Sequence, residues 1–208
     1  MNKLMHAPTS VRWLTIDEWN IVDRVFGNTL PWRRRILITN GAGLNGRPFT
    51  IPTALITALP VAISTAFATL ITKNPVFFAG GALLGELNSI TNMAYLINVG
   101  PDFYPDLTAV DLDNQYSDAS ATLVHEMTHV WQGKNSAMAL SYVFNSVINQ
   151  AFQGQHAYDY SLPADWKSLN AEQQGKFVED WYWRENSDTS TASPRFKAID
   201  DFVRRGRA

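Results

Sequence analysis

The chain has 208 residues, 46% of them hydrophobic and 12% aromatic, enough for one sizeable core with nothing to divide it, so a single domain over 1–208 is expected. Its 17 basic and 19 acidic residues leave a net charge of −2, which excludes a basic field for nucleic acid and an acidic binding tail. With no cysteine, disulfides and thiolate metal ligands are also excluded, and any metal must be held by His, Asp or Glu. The N-terminal residues lack the apolar stretch of a secretory signal. The expectation is a cytoplasmic chain or one exported by another route.

In chain order, Thr15 and Glu18 make a capping box that opens a helix ending near Phe26, before Gly27-Asn28. Residues 34–40 are rich in β-branched side chains and close on Asn40-Gly41, so they read as a strand and a turn. Gly41, Gly43 and Gly46 have the spacing of a dinucleotide-binding loop, but Arg47-Pro48-Phe49-Thr50-Ile51-Pro52 cannot continue as the helix that loop needs. Nucleotide binding is therefore not expected.

Residues 48–72 carry no Asp, Glu, Lys or Arg and are long enough to span a bilayer. Pro52, Pro60 and six Thr or Ser between 53 and 72 break that continuity, so buried core or interface is favoured over membrane contact. Gly80-Gly81 and Gly85 interrupt the next apolar stretch, after which residues 93–99 read as a buried strand stopped by Gly100-Pro101.

A helix follows between a cap at Ser117 or Asp118 and an end marked by Gly133 and Asn135. Residues 137–152 make another apolar helix, and 158–163 a connector. Asn170, with Gln173 in the reciprocal position, opens a helix running to about Glu185. A last helix is expected with Pro194 at its first position and Arg204-Arg205 at its negative end.

The helix between Asp118 and Asn135 carries His125-Glu126-Met127-Thr128-His129. Residues four apart lie one turn above each other, so both imidazoles can converge on one ion while Glu126 sits beside it, aimed at water. Glu126 is the only charge among Leu123, Val124, Met127, Thr128, Val130 and Trp131, as befits a buried active-site helix. Histidines merely hydrogen-bonded in a core would explain neither the spacing nor the adjacent Glu. A catalytic centre of this kind usually takes three protein ligands. Gln132 and Asn135 stand where the continuation H-E-x-x-H-x-x-G-x-x-H needs Gly and a third His, so that class is excluded. Glu172, Glu179, His156 or an Asp remain, with the two Glu on one face of a single helix.

His125-Glu126-x-x-His129 is the zincin signature, and the chain resembles the gluzincin branch of zinc metallopeptidases. In that branch a Glu on a later helix binds zinc, and a small residue three positions on lets the helices pack closely. Glu172-Gln173-Gln174-Gly175 has that form. With Val130-Trp131-Gln132 after the motif, the chain is also similar to zincin-like proteins of bacterial secretion and toxin-delivery loci. The resemblance covers the 125–132 and 170–185 helices closely and 40–183 loosely.

It implies an α+β, zincin-like domain, mainly helical, with a small sheet next to the active-site helix, and with 93–99 as the edge strand that holds peptide. It further implies Zn2+ on His125, His129 and Glu172, Glu126 as general base, and a protein or peptide substrate. His156, Tyr158 and Tyr160 are the candidates for stabilising the oxyanion. Lys176 departs from the pattern, which has an acidic residue one turn after the Glu ligand. A non-catalytic scaffold or adaptor of a secretion system is the alternative, disfavoured because every catalytic residue type is present.

Overall fold

The computed structural model describes residues 7–43, 46–53, 94–111, 113–115, 118–136, 154–190 and 192–208. The expected helix at 137–152, the apolar stretch from 54 to 72, the cap candidate Ser117 and the glycines at 80, 81 and 85 lie outside these residues. The described part is mixed helix and sheet, in keeping with an α+β class.

Four short strands, β1 (Val11–Trp13), β2 (Ile36–Thr39), β3 (Phe49–Pro52) and β4 (Tyr95–Asn98), form one sheet in the order β1-β2-β4-β3. β2 and β4 run parallel, while β1 and β3 are antiparallel to their neighbours. Ile36, Ile38, Tyr95 and Ile97 alternate onto the buried face, as the two-residue period of a strand requires.

β4 is not the edge strand expected at 93–99. It pairs with β2 on one side and β3 on the other, so both rows of its backbone groups are used. Among the described strands, the edge position beside the motif helix belongs to β3. Pro52, which has no N–H to give a ladder, is at home there.

Helix α1 (Ile16–Phe26) starts at the predicted box, with Glu18 N donating to Thr15 Oγ1 at 3.2 Å and Thr15 N to the Glu18 carboxylate at 2.8 Å. Helix α2 (Ala119–Asn135) is capped by Asp118, whose Oδ1 accepts from Ala121 N at 2.7 Å. Its Oδ2 accepts from Trp183 Nε1 at 3.0 Å, tying the start of α2 to the end of α3 (Ala171–Trp183). Asn170 and Gln173 cap α3 reciprocally, as expected, and the helix stops two residues before Glu185.

Helix α4 (Phe196–Asp201) does not start at Pro194. Ser193 to Arg195 form a turn in which Ser193 Oγ accepts from Phe196 N at 2.9 Å, and Arg204-Arg205 lie in a separate 3₁₀ turn, Val203–Arg205.

From Ala119 to Gly133, α2 is buried on every side except at Thr122, which matches its nearly charge-free sequence. It packs against α3, α1 and β3. Trp131, Trp181, Phe26, Phe177, Leu123 and Met127 fill the core around it, and Trp131 Nε1 donates to Val203 O at 2.9 Å. Among the described residues no helix is long and apolar enough to cross a membrane.

Candidate metal centre

His125 and His129, one turn apart on α2, are both buried, with ring centroids 5.1 Å apart. Glu172 enters from the first turn of α3, where a Glu is ordinarily drawn by the helix dipole and left in solvent. Here it is only 1% exposed. Its two oxygens lie 3.5 Å from His125 Nε2 and 3.6 Å from His129 Nε2. Ligand atoms about 2.0–2.1 Å from a tetrahedral ion are about 3.4 Å apart. His125, His129 and Glu172 thus lie close enough to hold a metal ion, with all three ligand atoms within 4.8 Å of one another. Glu126 stands outside this cluster.

Gly175 permits the approach. A Cβ at this position would sit 2.8 Å from His125 Cε1 and 2.9 Å from Nε2, inside van der Waals contact. Gly175→Ala is therefore expected to push the ring or α3 aside and weaken metal binding about 10- to 100-fold, the range found when ligand orientation is lost. Calorimetric titration of the metal checks this, with circular dichroism showing that the fold persists.

The imidazoles are oriented from behind. His125 Nδ1 is 2.9 Å from Glu179 Oε2, and His129 Nδ1 is 2.9 Å from Gln132 Oε1. The Gln132 amide is fixed in turn, because its Nε2 donates to Ala171 O at 3.1 Å and Gln174 Oε1 at 2.8 Å. Both rings then carry hydrogen on Nδ1 and turn Nε2 toward the site.

Glu179, considered from sequence as an alternative ligand, is instead the carboxylate behind His125. It takes further hydrogen bonds from Gln115 Nε2 and Lys176 Nζ, each at 2.8 Å. Lys176 neutralises this carboxylate, which stands seven residues after Glu172.

Burial by itself would lower the imidazolium of His125, but the carboxylates of Glu172 and Glu179 overcome it and push it up to about 10. His129 is raised in the same way, chiefly by Glu172. Burial opposes the charge of Glu172, yet His129 and His125 hold its carboxyl far below the usual range. These carboxylates favour positive charge at the cluster, which a divalent ion can supply.

β3 supplies a group that sequence reasoning missed. Thr50 Oγ1 lies 2.7 Å from Glu126 Oε2 and 3.2 Å from the Glu126 carbonyl, anchoring the carboxylate to the edge strand. Nothing in the local pattern around Thr50 marks it, since its partner is 76 residues away. Burial raises the Glu126 carboxyl, with His129, His125 and Thr50 pulling the other way.

No protein-family model, curated protein or solved structure matches this chain.

Beside the cluster opens a cleft of about 650 Å³, lined in part by His125, Glu126, Tyr158 and Arg47. Of the three oxyanion candidates only Tyr158 belongs to it, with its ring centroid 5.8 Å from that of His125. Burial and the charges of Glu172 and Glu126 push its hydroxyl up, so it keeps its proton and remains a donor. Tyr160 instead donates to Asp180 Oδ2 at 2.7 Å, and His156 is exposed and paired with Asp159 at 2.8 Å. Neither lines the cleft.

Proposed function

We propose that the protein is a zinc-dependent peptide hydrolase with a zincin-like fold. One observation carries this reading: His125, His129 and Glu172 converge in a buried cluster, while Glu126 is kept out of it and held at the cleft by Thr50. Two imidazoles and a carboxylate with no thiolate are a donor set suited to catalytic zinc. When bound, zinc polarises the scissile carbonyl and makes water a better nucleophile at neutral pH.

Glu126 takes the proton from the attacking water and passes it to the leaving nitrogen. Thr50 holds one of its oxygens and leaves the other outside that hydrogen bond. Tyr158 donates from its hydroxyl to the carbonyl oxygen as that atom gains charge. No described strand pairs with the outer edge of β3, and an extended peptide can add to it as a further strand. The resemblance to proteins of bacterial secretion loci supports a role as a delivered effector acting on a target-cell protein or peptide.

Elemental analysis of the purified chain, combined with a broad peptide-library digest, tests the proposal. The expected result is about one zinc per chain, with cleavage that a chelator abolishes and added zinc restores. Bound zinc with no cleavage of any library would favour the scaffold reading. Absence of zinc binding would overturn both.

A further inference from the structure

Besides His125, two basic side chains line the cleft, and they are placed very differently. Lys176 Nζ lies 2.8 Å from Glu179 and 3.1 Å from Asp180, so its charge is consumed in the wall. No carboxylate among the described residues pairs with the guanidinium of Arg47. It lies over the ring of Tyr158, 5.9 Å from its centroid, and the same ring borders His125. A planar fork resting on an aromatic face keeps both of its donating edges available and loses little freedom on binding.

The backbone fixes where this fork stands. Arg47 O accepts from Gly43 N at 2.8 Å, and β3 begins two residues later at Phe49. Thr50, which holds Glu126, is three residues beyond Arg47. At about 3.3 Å per extended residue the separation along the chain is about 10 Å. Arg47 and Glu126 line the same cleft, so a peptide lying against Glu126 passes the fork. Glu126 and Asp159 are acidic and Lys176 is paired with Glu179 and Asp180, so Arg47 is the wall's guanidinium or ammonium with no carboxylate partner among the described residues.

We infer that Arg47 receives a carboxylate of the peptide substrate, either an Asp or Glu side chain or the C-terminal α-carboxylate, and so sets a preference for acidic or chain-terminal substrates. The inference rests on the proposed peptide hydrolase reading. Its geometry is the bidentate pairing that a guanidinium makes with a carboxylate.

Three peptidyl hydroxamates of equal length, which attach to zinc through the hydroxamate, provide a test independent of turnover. One carries Gln and a C-terminal amide, the second replaces that Gln by Glu, and the third keeps Gln but ends in a free carboxylate. Each is titrated into the zinc-loaded full chain and into its Arg47→Gln variant.

At least one acidic probe is expected to bind about tenfold more tightly than the neutral one, an advantage absent from Arg47→Gln. The probe that shows it identifies the source of the carboxylate. Unchanged affinity of the variant for the neutral probe shows that the metal site is intact. Should Arg47→Gln lose the neutral probe too, Arg47→Lys takes its place, expected to keep neutral binding and lose most of the acidic advantage with the fork. Equal affinities for all three probes in the unaltered protein, or an advantage that survives at position 47, would overturn the inference alone. Failure of every hydroxamate to bind would overturn the metal-centred reading beneath it.

Discussion

Replacing Glu172 with alanine is expected to weaken zinc binding about a hundredfold or more, enough to lose the ion on exhaustive dialysis, whereas replacing Glu179 with alanine weakens it less. The difference follows from where the two carboxylates stand. Glu172 faces both Nε2 atoms at 3.5 and 3.6 Å, at the vertex where a third ligand is needed. Glu179 contacts the far nitrogen of His125 at 2.9 Å and can reach a metal only through that ring. Sharing about 10–16 kcal/mol of site energy among four ligands assigns about 3 kcal/mol to one, which is about a hundredfold in Kd or more. Loss of an orienting carboxylate costs about 10- to 100-fold.

Elemental analysis after exhaustive dialysis, with calorimetric titration, separates the two cases. Full affinity in Glu172→Ala together with lost binding in Glu179→Ala would reverse the assignment.

That contrast also shows which parts of the site were legible from sequence. His125, Glu126 and His129 are local: their spacing alone brings two rings onto one face of a helix, and α2 carries them as expected. The capping boxes at Thr15/Glu18 and Asn170/Gln173 are local too, and both form. Gly175 was readable as a small residue allowing close packing, and the clash of a Cβ with His125 supplies the physical reason.

Position on a helical face could not rank Glu172 against Glu179. Both point toward α2, and their separation along α3 decides which nitrogen each can meet. Tyr158 could not be told from Tyr160 or His156 either. Three neighbours in a connector diverge to the cleft, to Asp180 and Arg195, and to the surface.

The sheet was the less legible half of the fold. β1 is three residues long, and no local periodicity marks a segment whose structure consists of pairing with residues 37–39. Residues 49–52 could be recognised as unable to form a helix, but their role as the edge strand depends on β4, over forty residues away. Strand order is a property of long-range pairing. It moves the described sheet edge beside α2 from 93–99 to β3 and brings Thr50 to Glu126.

The sharpest separation of chemistry from structure is expected in Glu126→Gln, a variant that should fold and hold zinc while losing about 10²–10⁴-fold in turnover. The side chains have nearly the same shape, and the Gln carbonyl can still accept from Thr50, so the anchor to β3 survives. What replaces the other oxygen is an amide nitrogen, which cannot take a proton from water. Folding is not penalised, since Glu126 is only 4% exposed and a neutral group there avoids the cost of burying charge.

Metal affinity should also persist, because Glu126 lies outside the His125, His129 and Glu172 cluster. Parallel measurement of zinc content, thermal unfolding and kcat on a cleavable peptide distinguishes the outcomes. Loss of zinc would make Glu126 a ligand or a structural support. Full turnover in a zinc-loaded variant would require a different base and remove Glu126 from the mechanism.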